Sequence, residues 1–213
     1  MRKDPKGASL AGLIREKDLS AFTPRERILA AALKLFVEQG YFNTNVPDLS
    51  RESKCSVGSI YHTFKNKEEI ASDLYKECIS AFRSALRQSI ESISEIDQIV
   101  KTVVRSFLIF SEVNYQISRY IWLCRHNEFM SGIIKHPTMV GFDSLGRLLA
   151  RTIKRGIREK KILPLKADII WSIMFGIPAG YVRDWLDDYN SAPPHEVADQ
   201  LADASWRALK SEA

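Results

Sequence analysis

The chain predicts an all-α fold, and three observations carry that prediction. Apolar residues recur at helical spacing through most of its 213 residues. No stretch alternates apolar and polar residues over the length of a strand. Helix start and stop signals punctuate the pattern: Thr, Asn and Ser at caps, Pro in first turns, Gly after last ones. Within this class the pattern divides into residues 1–21, a flexible N-terminal extension; 22–70, a three-helix domain containing a helix-turn-helix; and 71–213, a larger helical domain.

Thr23-Pro24-Arg25-Glu26 forms a capping box with Pro at the first helical position. The helix that follows buries Ile28, Leu29, Ala32, Leu35 and Phe36 and stops at Gly40, with Tyr41 and Phe42 expected to plug the same core. Asn45 caps the next helix, with Thr44 the other candidate, and Pro47 is tolerated there because it falls in the first turn. A tight turn is expected at Ser53-Lys54-Cys55. Ser56 then caps a short helix, Val57 to about Phe64, whose buried side is Ile60 and Phe64 at i, i+4 spacing. Asn66, with Glu69 three residues on, opens a long helix carrying Ile70, Leu74, Cys78, Phe82, Ala85 and Leu86 on one side. Two short helices joined this tightly have the form of a helix-turn-helix, whose second helix enters the DNA major groove. A helical hairpin that binds nothing fits the same spacing.

The residues also carry a resemblance. TPRERILAAALKLFVEQGYFNTNV (23–46), SVGSIY (56–61) and FKNKEEI (64–70) resemble the signature of the tetracycline-repressor (TetR) family of bacterial transcriptional regulators. The likeness covers about residues 23–75, and the remainder matches the family only in length and all-helical pattern. Asn45 stands where Ser or Thr is usual, Ser50 and Ser53 replace small alanines, Lys54-Cys55 replaces a common Gly-Val, and Thr63 replaces a frequent His or Tyr. The resemblance implies that DNA is contacted by Thr44, Ser56, Gly58, Ser59, Tyr61, His62 and Lys67. It further implies a homodimeric repressor that leaves a palindromic operator when a small molecule binds. For Lys67 there is a separate argument: a cation at a helix N-terminus opposes the dipole, and an anion such as phosphate resolves the conflict.

Composition narrows the alternatives. Apolar content of 45% with 27% charged residues fits a chain with a real core, and the net charge of +5 suits a polyanionic partner. That charge is not concentrated in the helix-turn-helix: residues 1–70 hold 12 Lys/Arg against 9 Asp/Glu. Arg2, Lys3 and Lys6 precede a weak amphipathic patch at Leu10, Leu13 and Ile14, which reads as a frayed tail or as a basic arm touching DNA. Cys55, Cys78 and Cys124 are odd in number and lack metal spacing, which predicts a reducing, cytoplasmic setting and no disulfide framework. The longest uncharged stretch, residues 169–182, is broken by Gly176, Pro178 and Gly180 and is too short to span a bilayer. His62, His126, His136 and His195 lie far apart without HExxH or GxSxG, so no catalytic residue, metal site or cofactor is expected.

In the larger domain, helices are expected over Ile96 to Val113, Tyr115 to about Met130, Thr138 to Lys160, Lys166 to about Asp188 with a kink at Pro178, and Glu196 to about Lys210. Arg147, Arg151, Lys154, Arg155 and Arg158 line the outer side of the third, as a solvated face or a contact for an acidic partner. The apolar stretch Ile169–Trp185 and the helix Val197–Leu209 are expected to pair with a second copy as a four-helix bundle. A lipophilic effector is expected among Phe107, Phe110, Trp122, Phe129, Phe142, Trp171 and Phe175, with Ser111, Arg125 and His126 fixing its orientation. Two rivals predict different behaviour: an architectural DNA-binding dimer without a ligand, and a helical adaptor that binds protein alone.

Overall fold

The caps read from the sequence start the helices. In the computed structural model, which describes residues 22–124 and 144–212, α1 (Pro24–Glu38) opens on Thr23, whose hydroxyl accepts the Glu26 N–H while the Glu26 carboxylate accepts the Thr23 N–H. α2 (Val46–Ser53) opens on the same reciprocal pair between Asn45 and Asp48, at 2.9 and 3.1 Å. α3 (Val57–Thr63) is capped by Ser56, whose hydroxyl accepts the Ser59 N–H. α4 (Lys67–Ser89) begins with Asn66 accepting the Glu69 N–H; the Glu69 carboxylate reaches Lys65 N–H, one residue beyond an ordinary capping box. Such caps satisfy amide groups that a helix cannot satisfy itself, at about 1 kcal/mol each.

Two compact units result: Met1–Ala81 with Gln116–His136, and Phe82–Tyr115 with Pro137–Ala213. Their division falls within α4, not after residue 70, and the helix that starts at Tyr115 groups with the N-terminal residues. In the first unit, α1 packs on α2 and α3 through Ile28, Leu29, Ala32, Leu33 and Phe36 against Leu49 and Ile60, all buried. Ile70, Leu74 and Cys78 of α4 and Ile117, Ser118, Tyr120 and Ile121 of α6 (Tyr115–Leu123) are buried as well. Arg25 joins α1 to α4 by ion pairs to Asp73 and Glu77, each 3.0 Å. Tyr41 is buried as expected, but Phe42 is 66% exposed and stays out of the core, its ring edge-on to Tyr41 at 5.2 Å.

In the second unit, α5 (Ile96–Val113) buries Ile99, Val100, Val103, Val104, Phe107, Leu108 and Phe110. α10 (Pro194–Leu209) packs along it with its small side chains, Ala198, Ala202 and Ser205, plus Leu209. Small residues let the two backbones approach, and Lys101–Asp203 (2.7 Å) and Arg105–Asp199 (2.5 Å) flank the seam. At the start of α10, Glu112 accepts the His195 N–H at 2.9 Å, a carboxylate placed where the dipole favours it. α7 (Ser144–Arg158) buries Leu145, Leu149, Thr152, Ile153 and Gly156 and leaves Arg147, Arg151, Lys154 and Arg158 exposed.

The helix expected from Lys166 to Asp188 is three pieces: α8 (Ala167–Trp171), a π turn (Ser172–Gly176) and α9 (Ile177–Leu186). Pro178 has no N–H and its ring would crowd the carbonyl four residues back, so the regular ladder cannot run through it. The widened turn answers this upstream of the proline, with Ile177 N–H reaching Ser172 O. Among the described residues the one β contact is an isolated antiparallel bridge between Ile162 and Lys210. No helix among them is long and apolar enough to cross a membrane, and no cluster of potential metal ligands occurs among them. The N-terminal extension, Arg125, His126, Phe129, Phe142, and the expected helix segments between 125 and 143 lie outside the described residues.

Candidate nucleic-acid interface

α3 is amphipathic in the simplest sense. Ile60 (1% exposed), with Phe64 just beyond the helix, faces α1 and α2, while Ser56, Val57, Gly58, Tyr61 and His62 are exposed and Ser59 and Thr63 half-buried. The Ser56 hydroxyl is used in the cap, and the Thr63 hydroxyl donates to Ser59 O at 2.8 Å. Gly58 is informative for what surrounds it: an added Cβ would meet only the Ser56 Oγ, at 3.9 Å. Nothing in the chain requires glycine there, although glycine costs a helix up to about 1 kcal/mol relative to alanine. The space its missing side chain leaves opens outward.

The turn before α3 explains the departures noted in the sequence. Lys54 takes the left-handed conformation, φ 56°, which glycine adopts at less cost. The two serines that replace alanines secure it: Ser50 Oγ donates to Cys55 O at 2.6 Å, and Ser53 Oγ accepts the Cys55 N–H at 3.3 Å. Ser53 is fully buried and Cys55 nearly so. The serines thus hold from outside the helix ladder a turn that Lys54 strains.

The approach to α2 is equally tied. Gly40, at φ 87°, ends α1. Asn43 Nδ2 donates to Gln39 O at 2.8 Å, and the Thr44 hydroxyl donates to Gly40 O at 2.9 Å while accepting from Gln39 Nε2. Thr44 is 1% exposed, so its side chain holds the turn together and presents no surface. Lys67 is half-buried. Its ammonium donates to Tyr41 O and Thr44 O, each at 2.9 Å, and sits 4.2 Å from the centroid of the Tyr41 ring. The conflict between a cation and a helix N-terminus is therefore met inside the chain by two carbonyls and a ring face, leaving one N–H of the ammonium uncommitted. Burial lowers the Lys67 pKa from its ordinary value; burial and then Glu68 raise that of Tyr41, which stays a neutral ring.

Two exposed lysines bracket α3, Lys54 in the turn before it and Lys65 after it, and neither forms an ion pair among the described residues. Neither is among the residues expected from the sequence to contact DNA: Lys54 enters there as part of the turn and a departure from Gly, and Lys65 only within the FKNKEEI stretch. The signal available was their symmetric placement about the recognition helix. By contrast Arg51 is paired with Asp48, and Lys34 with Glu52 at 2.9 Å.

The residues expected around an effector divide. Phe107, Phe110, Ser111 and Phe175 are buried in the second unit, where Trp171 is half-buried. Phe107 and Phe110 meet Phe82 edge-on at 5.0 and 5.3 Å, and Phe175 lies 6.4 Å from Phe107 and 6.0 Å from Trp171. The Ser111 hydroxyl, fully buried, has no hydrogen-bond partner among the described residues. Trp122, half-buried, belongs to the first unit.

A capped recognition helix with an open outer face, on an all-α scaffold, defines a helix-turn-helix protein. Residues 28–74 match the family model for bacterial regulatory proteins of the tetR family. The HTH-type transcriptional regulator HbdR of Aromatoleum sp. is 36% identical over 70 residues, 33% of this chain and 31% of that protein. IcaR of Staphylococcus epidermidis, the biofilm operon icaADBC HTH-type negative transcriptional regulator, is 28% identical over 112 residues, 53% of this chain and 60% of the relative. The matched region thus spans 31% and 60% of these two curated relatives. A solved TetR family transcription regulator from Marinobacter aquaeolei VT8 superposes with a TM-score of 0.72 over 89% of this chain and 96% of its own, at 15% identity, a likeness of fold. Residues 28–74 are thus similar to the helix-turn-helix region of the tetR family, and the fold is like that of the solved regulator.

Proposed function

We propose that the protein is a DNA-binding transcriptional regulator, not an enzyme, acting as a homodimeric repressor on a palindromic operator. The observation that carries this reading is Gly58, a helix glycine whose fold leaves its outer side open. In a groove-reading helix the missing side chain lets the backbone approach the duplex. Ser59, Tyr61 and His62 present donors, acceptors and a ring to base edges or phosphates around it, and Ser56 adds its oxygen. Lys54, Lys65 and the uncommitted N–H of Lys67 supply phosphate contacts. Thr44 serves the interface from within, by fixing the turn.

A second copy binds through α8–α9 and α10. Ile169 and Ile177 are 44% and 41% exposed, and a Cβ on Gly180 would meet nothing within 4 Å. Val197, Leu201 and Ala204 are only half-buried, since α10 spends its small face on α5. Pairing these two helices about a two-fold covers both rows. The effector is a small lipophilic molecule that enters among Phe107, Phe110, Trp171 and Phe175 and satisfies the Ser111 hydroxyl, since an unpartnered buried polar atom costs about 1–3 kcal/mol. Release follows if the effector favours a conformation in which the two recognition helices no longer match successive major grooves.

Selection from fragments of the source genome tests this reading. The recovered duplex should contain an inverted repeat with half-sites about 34–36 Å apart, or a multiple of that. Lipophilic acids and aromatic compounds should release it. Recovery of no fragment contradicts the regulator, and an operator complex insensitive to every such ligand favours the architectural dimer instead.

A further inference from the structure

The residues assigned to DNA reading are carried on the helix-turn-helix, yet the compact unit around it also takes in α6, from Gln116 onward. The contact that seats α6 is specific. Tyr120 is fully buried, and its hydroxyl donates to Ala71 O at 2.9 Å. Ala71 lies one helical turn beyond Lys67 on α4. The ring of Tyr120 stacks on Phe36 at 6.2 Å, 24° from parallel. Phe36 meets Tyr41 edge-on at 5.3 Å, and the Tyr41 ring carries the Lys67 ammonium at 4.2 Å. That ammonium holds the carbonyls of Tyr41 and Thr44, the residues leading directly into the Asn45 cap of α2. The contacts close on themselves: Tyr120, Phe36, Tyr41, Lys67, then along α4 to Ala71 and back to the Tyr120 hydroxyl.

We propose that Tyr120 is a positioning residue for DNA reading, because this closed ring of contacts fixes the Tyr41–Asn45 turn and with it the placement of α2 and the start of α4. The inference rests on the DNA-binding reading above. A buried hydroxyl needs its partner and an aromatic pair has preferred geometry, so together they set both where α6 sits on α4 and how it turns. Phenylalanine at 120 would fill the same space but lose the register; leucine would keep apolar packing but lose the stack. Tyr120 touches no DNA, so its loss removes no phosphate contact.

Two substitutions in the full-length chain test this, Tyr120→Phe and Tyr120→Leu, with Lys65→Ala as the contrast. Amide hydrogen exchange at residues 41–49 should accelerate in both Tyr120 variants, more in Leu, while the α5 amides Val100–Leu108 stay as protected as before. Affinity for the selected operator should fall about tenfold in Tyr120→Leu, with binding to random duplex and the salt slope unchanged, the mark of misplaced base readout. Lys65→Ala should instead lower operator and random binding alike and reduce the slope by about one contact. Unchanged exchange at 41–49 in both variants overturns the proposal, and that result needs no DNA. Faster exchange with full operator affinity also overturns it, leaving Tyr120 a packing residue. If the unsubstituted protein binds no duplex while exchange at 41–49 responds, the contact ring stands and the DNA-binding reading fails.

Discussion

At the scale of single residues, Gly58 separates folding from binding. Its Cβ position is open and its backbone is helical, so Gly58→Ala should raise stability by up to about 1 kcal/mol. The same methyl would stand between α3 and the duplex, and operator affinity should fall at least about tenfold, a loss of the order of one mismatched base pair. Thermal unfolding and operator titration of one variant give both numbers, and a variant that is more stable and binds fully removes the argument from Gly58. Substitutions at Ser59 or His62 should change which sequences are preferred, whereas Lys67→Ala should weaken operator binding more than random binding, because it frees the Tyr41 and Thr44 carbonyls as well as removing one phosphate contact. Thr44 marks the limit of reading residues by likeness: family position implies a DNA contact, but a side chain 1% exposed acts through the turn it closes.

At the scale of elements, the turn before α3 carries strain that substitution can relieve. Lys54 at φ 56° should tolerate glycine, and Lys54→Gly should stabilise the protein by roughly 1 kcal/mol while removing one cation beside the recognition helix. Chemical denaturation measures the first effect and the salt slope the second; a destabilised Lys54→Gly contradicts the strain. Elements whose signals are local were legible in the sequence. Thr23, Asn45, Ser56 and Asn66 each cap an amide three residues away, so their chemistry shows in any window of four residues. What depends on distant packing was not legible. Phe42 follows Tyr41 yet faces outward, and α10 turns Ala198 and Ala202 inward while Leu201 is left half-open. Nothing within either segment distinguishes those faces, because the choice is made by α1 and α5. The break near Pro178 was legible as a break, but its form as a π turn was not.

At the scale of the whole molecule, charge couples stability to pH. Burial pushes the Asp73 carboxyl up, but hydrogen bonds from Lys76 and Arg25 outweigh it and hold the group below its ordinary value. A depressed carboxylate contributes fully above the unfolded value near pH 4, and that contribution is lost as pH falls through the lower folded value. Acid should therefore loosen α1 from α4, and Asp73→Asn should flatten the dependence of the melting temperature below about pH 4. An equal acid dependence in the variant places the effect elsewhere. Assembly has its own test: Leu201→Glu should yield folded monomers by light scattering, with operator affinity reduced because one recognition helix binds alone.

The salt dependence of binding tests the central claim most directly. Operator and scrambled duplex should be titrated with the unsubstituted protein from about 50 to 200 mM salt, where each phosphate contact contributes a slope of about −0.9. A steep slope for both duplexes, with the operator bound at least about a thousandfold more tightly at every salt concentration, is the predicted result. Affinity that ignores salt, or equal affinity for the two duplexes, contradicts a regulator that reads sequence through α3.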